Sequence, residues 1–248
     1  MRGLREAASV LTRVPVTSGG DVASAVPWFP VVGAAVGLAV AGIYTAGRTG
    51  LPPLVAATLA VSAGAWLTRG FHEDGLADTA DALGSGARGA EALRILKDPA
   101  LGTYGVLALV GCVLVRVGTL ASFDAGAALA VLPAAHAMSR GAAGVLLLGP
   151  PSGEPGLGSS LMSTVSRGRV WAGSVTGGLV GFALLGAWFV PAAALAGVCT
   201  VLVGAGARRR FGGITGDVMG AAQQLGEAGI MVVGTLAASW GPGLPWWG

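Results

Sequence analysis

Half of the acidic residues of this chain lie in one stretch, from residue 68 to residue 105. Six of the twelve Asp and Glu residues fall there, together with four basic residues. On an α-helix, Asp74, Asp78 and Asp81 stand at i, i+4 and i+7, within an arc of about 60°. Three carboxylates on one face repel one another unless a cation lies between them. The spacing predicts a divalent metal site with oxygen ligands, whereas the plainer alternative is a water-facing helix between two membrane spans.

A second polar stretch has the sequence GGITGD and covers residues 212–217. Glycines allow backbone amides to approach an anion closely, and Asp217 adds a fourth carboxylate. The alternative is a flexible loop in which Asp217 caps a helix. If both stretches lie on the same side of the membrane, they can form two walls of one site.

Carboxylates together with several basic side chains suit a diphosphate substrate held through Mg²⁺. The basic side chains that could bind the remaining phosphate charge are Arg69, Arg94, Lys97 and Arg208 to Arg210. For any single one of them, the excess of basic residues in cytoplasmic loops is a sufficient explanation.

Three further side chains can titrate or bind an anion near these stretches. His72 precedes Asp74 by two residues and is either a general base or an interfacial histidine. His136 and Arg140 are i, i+4 neighbours within an apolar run, so both are expected to face the bundle interior. Arg140 can reach a substrate phosphate or tie helices together, and Arg116 is expected to be structural, toward the opposite side.

The elements that must position these residues are membrane helices. The chain has 248 residues, of which 53% are hydrophobic and 11% are charged, whereas a soluble domain carries about 25% charged residues. The composition predicts an all-α, polytopic integral membrane bundle in a lipid bilayer, with residues 1–248 forming a single domain. The net charge of +3 gives no indication of nucleic-acid binding.

About seven membrane spans are expected, with the acidic stretch forming a loop or helix outside them. A span requires roughly 20 apolar residues. The last run is short and can begin as early as Gly220. The expected spans are 28–47, 54–68, 103–122, 125–148, 170–189, 192–207 and 228–240.

Basic residues divide unequally between alternate loops. The N-terminus and the loops 69–102, 149–169 and 208–227 hold twelve of the fifteen Lys and Arg residues. The opposite loops hold only Arg48. The positive-inside rule therefore places both polar stretches on the cytoplasmic side.

Several short runs follow one another along the chain. They are LTRVP at 11–15, FP at 29–30, HEDGLADTAD at 72–81, KD at 97–98, GTYGV at 102–106, SR at 139–140, GITGD at 213–217 and GA at 220–221. Together they resemble the cobalamin synthase family, also called adenosylcobinamide-GDP ribazoletransferase. The resemblance covers nearly the whole chain. One departure is Ala82, where the family often has glycine, and this affects only local backbone freedom.

The resemblance implies a Mg²⁺-dependent transferase in the cytoplasmic membrane of a bacterium or archaeon, with its active site on the cytoplasmic side. Such an enzyme joins adenosylcobinamide-GDP to α-ribazole or its 5′-phosphate and releases GMP. Whether the enzyme forms a homo-oligomer is left open. The corrinoid follows from the resemblance alone, because composition and spacing lead only to a metal, a diphosphate and a membrane.

Roles for individual residues follow from the motifs and the resemblance together. Asp81 or His72 would accept the proton of the attacking hydroxyl; Asp81 is the first choice by analogy with the last Asp of the CDP-alcohol phosphotransferase motif. The expected metal ligands are Asp74, Asp78, Asp81 and Asp217. The expected substrate contacts are Arg69, Glu73, Arg94, Lys97, Asp98, Thr103, Arg140, Thr215 and Gly216.

Three other functions share parts of this pattern. A CDP-alcohol phosphotransferase would carry an AR pair near the position of Asp78, and a membrane prenyltransferase would carry a second Asp-rich motif, where this chain has only Asp217. A cation transporter, from a different class, would hold its carboxylates near the middle of the membrane. Here the acidic residues cluster outside the apolar runs, which favours the transferase.

Overall fold

The computed structural model describes residues 2–16, 19–152 and 156–240, and the regular secondary structure in these ranges is helical. Short 3-10 turns precede α2 (Val22–Trp28), follow α7 (Val145–Leu148) and separate α9 from α10 (Gly186–Trp188). The all-α fold predicted from composition is confirmed. The α-helices in the described ranges are α1 (Arg2–Leu11), α2 (Phe29–Gly47), α3 (Pro53–Leu67), α4 (Phe71–Gly84), α5 (Ala90–Leu96), α6 (Thr103–Ala121), α7 (Ala125–Gly144), α8 (Leu157–Thr164), α9 (Arg167–Leu185), α10 (Phe189–Phe211) and α11 (Gly216–Trp240).

Four helical runs of the described residues are long and apolar enough to cross a membrane: Val22–Gly47, Thr103–Ala121, Ala125–Leu148 and Arg167–Phe211. A fifth is added if α3 and α4, which meet at a 90° bend, count as one broken span. These runs confirm a polytopic membrane bundle. The predicted number of seven spans requires α3 and α11 to cross as well, and it stays a prediction.

The run Arg167–Phe211 contains two antiparallel helices. Its 45 residues would extend about 68 Å as one helix, more than twice the thickness of a bilayer core. The break lies at Gly186, whose φ of 55° ends α9. α9 runs antiparallel to α7, starting from the C-terminal end of α7, because Gly173 lies against Gly141 and Gly181 against Met138. α10 then returns, and the run is therefore long enough for two spans.

The distribution of polarity in the bundle is the reverse of that in a soluble protein. Leu107, Leu179 and Leu202 are 63%, 64% and 66% exposed on the outer faces of α6, α9 and α10. Arg116 and Glu227 lie inside, 3% and 0% exposed. Apolar surfaces outside and ion pairs inside are what a bundle surrounded by lipid requires.

α7 is the central helix and is buried along most of its length. Glycines bring its neighbours close to it. A Cβ at Gly33 would lie 2.5 Å from the carbonyl oxygen of His136, and one at Gly37 would lie 2.5 Å from that of Leu132. The backbones of α2 and α7 are therefore in direct contact, as small residues allow in membrane bundles.

The acidic helix α4 begins at a sharp corner after α3. Arg69 has a φ of 62° and Gly70 a φ of 67°, so two successive residues adopt the left-handed conformation. Such a conformation costs free energy for a residue other than glycine. The corner turns α4 across the start of α11 instead of letting α3 continue, and this crossing places the two polar stretches side by side.

Candidate active site

The two polar stretches form one open cleft of about 950 Å³ where α4, α5 and the start of α11 meet. The close crossing of α4 and α11 depends on Gly75, because a Cβ there would lie 2.7 Å from the backbone oxygen of Asp217. Five acidic and two basic side chains line the cleft, which leaves an excess of negative charge. These side chains are Arg69, Glu73, Asp74, Asp78, Lys97, Asp98 and Asp217.

The carboxylates of the cleft are crowded. Burial raises the pKa of Asp78 to about 7, with further contributions from the negative charges of Asp74 and Asp217, against the opposing effect of Lys97. The ammonium group of Lys97 lies 3.0 Å from Oδ2 of Asp217. The positive charge beside Asp217 thus comes from Lys97, whose side chain is half exposed. Because the carboxylates still outnumber the basic groups, the cleft would accept a further cation.

Mg²⁺ fits this set of oxygen donors. It is usually held by one or two carboxylates, with water and substrate phosphates completing its octahedral shell. In the ranges that the structure describes, no three His, Cys, Asp or Glu side chains are grouped closely enough to hold an ion by themselves. Asp74, Asp78 and Asp217 nevertheless line one cleft, and their mutual repulsion is what a bound cation would remove. The Mg²⁺ site stays a prediction.

Asp81 is placed differently from the other three carboxylates. Its Oδ2 accepts a hydrogen bond from the amide of Gly102, and its Oδ1 accepts one from the amide of Gly105, both at 2.8 Å. Asp81 therefore holds the N-terminus of α6 against α4 and satisfies amides that the helix leaves free. Each oxygen keeps a second lone pair, and Asp81 is not among the side chains that line the cleft. Its predicted roles as metal ligand and proton acceptor stay predictions. The i+7 position of Asp81 on α4 is as predicted, but its carboxylate binds backbone amides at the start of α6.

Two of the expected substrate contacts lie away from the cleft. Arg94 forms an exposed ion pair with Glu91 on α5, 2.8 Å between Nη2 and Oε1. Thr103 is exposed at the first turn of α6, beside the amides that bind Asp81. Arg94 shares a surface depression with Lys97 and Asp98, which line the cleft. The predicted contacts of Arg94 and Thr103 with substrate stay predictions.

His72, Arg140, Thr215 and Gly216 line a second, smaller cavity that adjoins the cleft. His72 is 5% exposed, and its Nδ1 has no hydrogen-bond partner. Burial lowers the pKa of His72 well below its usual value, and the positive charge of Arg140 lowers it further. His72 lines this cavity and not the cleft, and its predicted role as general base stays a prediction.

A buried ionic network lies behind the cleft. His136 and Arg140 face the bundle interior as predicted, and Arg140 ties α7 to α11, but the sequence did not predict Glu227 as the acidic partner. Glu227 lies 2.8 Å from Nη2 of Arg116, 3.1 Å from Nδ1 of His136 and 3.4 Å from Nη1 of Arg140. Arg116 also pairs with Glu73 at 3.1 Å. Arg116 therefore lies on the α4 side of the bundle, and its predicted position toward the opposite side is wrong. Glu73 is paired with Arg116, so its carboxylate is taken up by a protein contact rather than by a substrate. The signal in the sequence was Glu227 within an apolar run, since an ionisable residue there needs a buried partner.

Comparison with known proteins gives the family of the chain. Residues 3–235 match the family model of cobalamin-5-phosphate synthase. The chain belongs to this family. An adenosylcobinamide-GDP ribazoletransferase of Chlorobaculum tepidum is 37% identical over 254 residues, covering 99% of this chain and 98% of the relative. One of Bradyrhizobium diazoefficiens is 39% identical over 243 residues, covering 93% and 92%. No solved structure matches the chain.

Membership of the cobalamin-5-phosphate synthase family makes the chain a transferase of cobalamin biosynthesis, and the resemblance noted from its motifs is confirmed. The match extends along nearly the whole chain and is not confined to the acidic stretch. A CDP-alcohol phosphotransferase, a prenyltransferase or a cation transporter explains neither this extent nor the relatives.

Proposed function

We propose that this chain is a Mg²⁺-dependent adenosylcobinamide-GDP ribazoletransferase at the cytoplasmic face of the cell membrane. It joins adenosylcobinamide-GDP to α-ribazole or its 5′-phosphate and releases GMP. The observation that carries the proposal is the cleft in which Asp74, Asp78 and Asp217 meet beside Lys97. The names of the relatives supply the substrate class.

In this proposal Asp74, Asp78 and Asp217 would hold Mg²⁺. When bound, the ion neutralises charge on the phosphoryl group and brings carboxylate and phosphate oxygens together. Lys97 and Arg69 line the same cleft and bind the remaining charge of the diphosphate. Because Lys97 is half exposed, it is free to turn from Asp217 toward a phosphate oxygen.

The transfer exchanges one phosphorus–oxygen bond for another. A ribose hydroxyl of the acceptor forms a bond to the phosphorus nearer the corrinoid, and the bond from that phosphorus to the bridging oxygen of the diphosphate breaks. GMP leaves with the bridging oxygen, and the hydroxyl proton passes to a carboxylate of the cleft. The acceptor is assigned to a carboxylate because His72 lines the adjoining cavity and not the cleft.

The test is a double-mutant cycle on GMP release by the full-length protein in liposomes. Asp78→Ala and Asp217→Ala are each expected to lower the rate by about a hundredfold or more and to raise the Mg²⁺ midpoint. The double variant should lose little more than either single variant, because groups that act as one unit are strongly non-additive.

Glu91→Ala is the matched control, because Glu91 is an exposed acid on α5 that pairs only with Arg94 among the described contacts. It should keep the wild-type rate and Mg²⁺ midpoint. The side chain of Thr215, and not that of Asp217, accepts the capping hydrogen bond of α11. If Asp217 serves only to pair with Lys97 and with the N-terminal end of the α11 dipole, its loss would cost about 0.3–1 kcal/mol of stability and leave both quantities unchanged. That result would confine the site to residues 69–105.

A further inference from the structure

The second cavity has a volume of about 190 Å³ and lies between α1, α2, α4, α7, α8 and α11. Lys97 and Asp217 line both this cavity and the cleft, so the two spaces adjoin. Most of its lining is apolar. The largest apolar side chains are Leu11, Phe29, Phe71, Leu147, Leu157 and Leu161.

The size of the cavity suits an aromatic ring system. An apolar protein cavity of about 150 Å³ is sufficient to bind benzene, and this one is larger. Glycines leave part of its wall without side chains. A Cβ built at Gly144 would have no atom within 4 Å, and one at Gly216 would meet nothing closer than 3.8 Å.

The polar groups of the cavity indicate an uncharged occupant that forms hydrogen bonds. His72 and Arg140 are each 5% exposed, and His72 Nδ1 and Arg140 Nε lack hydrogen-bond partners. Buried polar atoms of this kind are normally paired. The charge of Arg140, the buried cation of the cavity, is already matched by Glu227, and Lys97 stands at the boundary with the cleft. A lipid chain would leave the free nitrogen atoms unpaired, and an anion inside the cavity would find no unbalanced positive charge at Arg140.

We propose that this cavity binds the aromatic base of the nucleoside acceptor. This inference rests on the proposed function. The base of α-ribazole is a dimethylbenzimidazole, an uncharged bicyclic aromatic ring with one free ring nitrogen that accepts a hydrogen bond. With the base among the leucine and phenylalanine side chains, the ribose reaches the boundary formed by Lys97 and Asp217. Its hydroxyl then faces the cleft, where the diphosphate of the other substrate lies.

The test uses substitutions of Gly144 that narrow the cavity, because a Cβ added there has no atom within 4 Å. α-Ribazole binding to the full-length protein in nanodiscs is measured without the second substrate, and KM is measured separately for both substrates. Gly144→Leu is expected to raise the Kd and KM for α-ribazole by about tenfold or more, with Gly144→Ala intermediate. The KM for adenosylcobinamide-GDP should stay unchanged.

Gly111→Leu is the matched control, because Gly111 is exposed on α6 and its added Cβ would also have no atom within 4 Å. It should change neither KM. An unchanged Kd for α-ribazole in Gly144→Leu, or a rise confined to the KM for adenosylcobinamide-GDP, would overturn the cavity assignment and leave the proposed function standing. The cavity assignment would also be overturned if the wild type retained a phospholipid that Gly144→Leu loses while the Kd for α-ribazole is unchanged. Absence of GMP release by the wild type would overturn the proposed function itself.

Discussion

Glu227 balances the charge of the bundle interior. It is fully buried on α11 and contacts both Arg116 and Arg140, while Glu73 supplies the second negative charge through Arg116. With a neutral His136, two arginines and two glutamates sum to zero. Such a cluster is stable only while it is complete, because an unpaired ion inside a bundle has lost its hydration and gains no partner.

Removing Glu227 should therefore destabilise the fold strongly. Glu227→Ala leaves Glu73 as the one negative charge of the cluster for the guanidinium groups of Arg116 and Arg140. Removing one partner of a buried ion pair costs about 3–5 kcal/mol of stability. We expect a large fall in the thermal unfolding midpoint of the detergent-solubilised protein. Glu91→Ala, which removes an exposed acid, should leave the midpoint unchanged. A Glu227→Ala protein as stable as the wild type would show that the network contributes nothing to stability.

The sequence predicted the acidic face at residue scale but not the partner of each side chain. The i, i+4, i+7 spacing correctly placed Asp74, Asp78 and Asp81 on one helix, α4. It could not show that α6 begins beside Asp81, because that depends on how two helices distant in sequence cross. For the same reason Glu73 was assigned to substrate although Arg116 lies 3.1 Å from it.

At the scale of elements, the site depends on how closely α4 crosses α11. Gly75 faces the backbone of Asp217, and Gly220 faces the backbone of His72 across the same crossing, 3.4 Å from an added Cβ. Glycine at these positions lets the two helices meet backbone to backbone. The distance between the carboxylates of α4 and Asp217 is thus set by residues that carry no functional group.

Gly75→Ala should separate the two walls of the cleft. Its methyl group would lie 2.7 Å from the carbonyl oxygen of Asp217, so one helix must shift, at a cost of about 1–3 kcal/mol. We expect a lower rate of GMP release and a higher Mg²⁺ midpoint. Gly118→Ala on α6, where an added Cβ has no neighbour within 4 Å, should change neither. Unchanged kinetics in Gly75→Ala would mean that the cleft tolerates a wider crossing.

The helices were predicted best where their sequence is apolar throughout. The first span was expected at 28–47, and α2 covers Phe29–Gly47. The last was expected at 228–240, although α11 begins at Gly216 and runs to Trp240. Asp217, Gln223, Gln224 and Glu227 make the first half of α11 polar, because it faces protein rather than lipid. Hydropathy measures affinity for lipid, so it cannot distinguish such a half-helix from a loop.

At the scale of the whole molecule, the two polar stretches lie at one end of the bundle. The amide of Gly89 donates to the carbonyl oxygen of Arg210 at 2.7 Å, and Nη1 of Arg210 donates to that of Gly86 at 2.6 Å. At the opposite end, the hydroxyl of Tyr44 donates to the carbonyl oxygen of Phe123. The packing thus brings together the basic loops that the charge distribution assigned to one side.

Labelling of single cysteines with a membrane-impermeant maleimide tests this orientation. In a background with Cys112 and Cys199 replaced by alanine, Arg88→Cys and Arg209→Cys should react only when the cytoplasmic face is accessible. Gly50→Cys should react from outside. All three positions are exposed. Position 209 is a better probe than Gly212, whose φ of 79° would be strained by a side chain.

The two possible failures of this experiment have different meanings. Reaction of positions 88 and 209 from opposite sides would contradict the contact between Gly89 and Arg210, and with it the shared cleft. Reaction of both from outside, with position 50 inside, would leave the cleft intact and reverse the orientation. GMP release would then face away from the cytoplasm, where GDP-activated substrates are made. Twelve basic residues on one side against one on the other make that outcome the less favourable insertion.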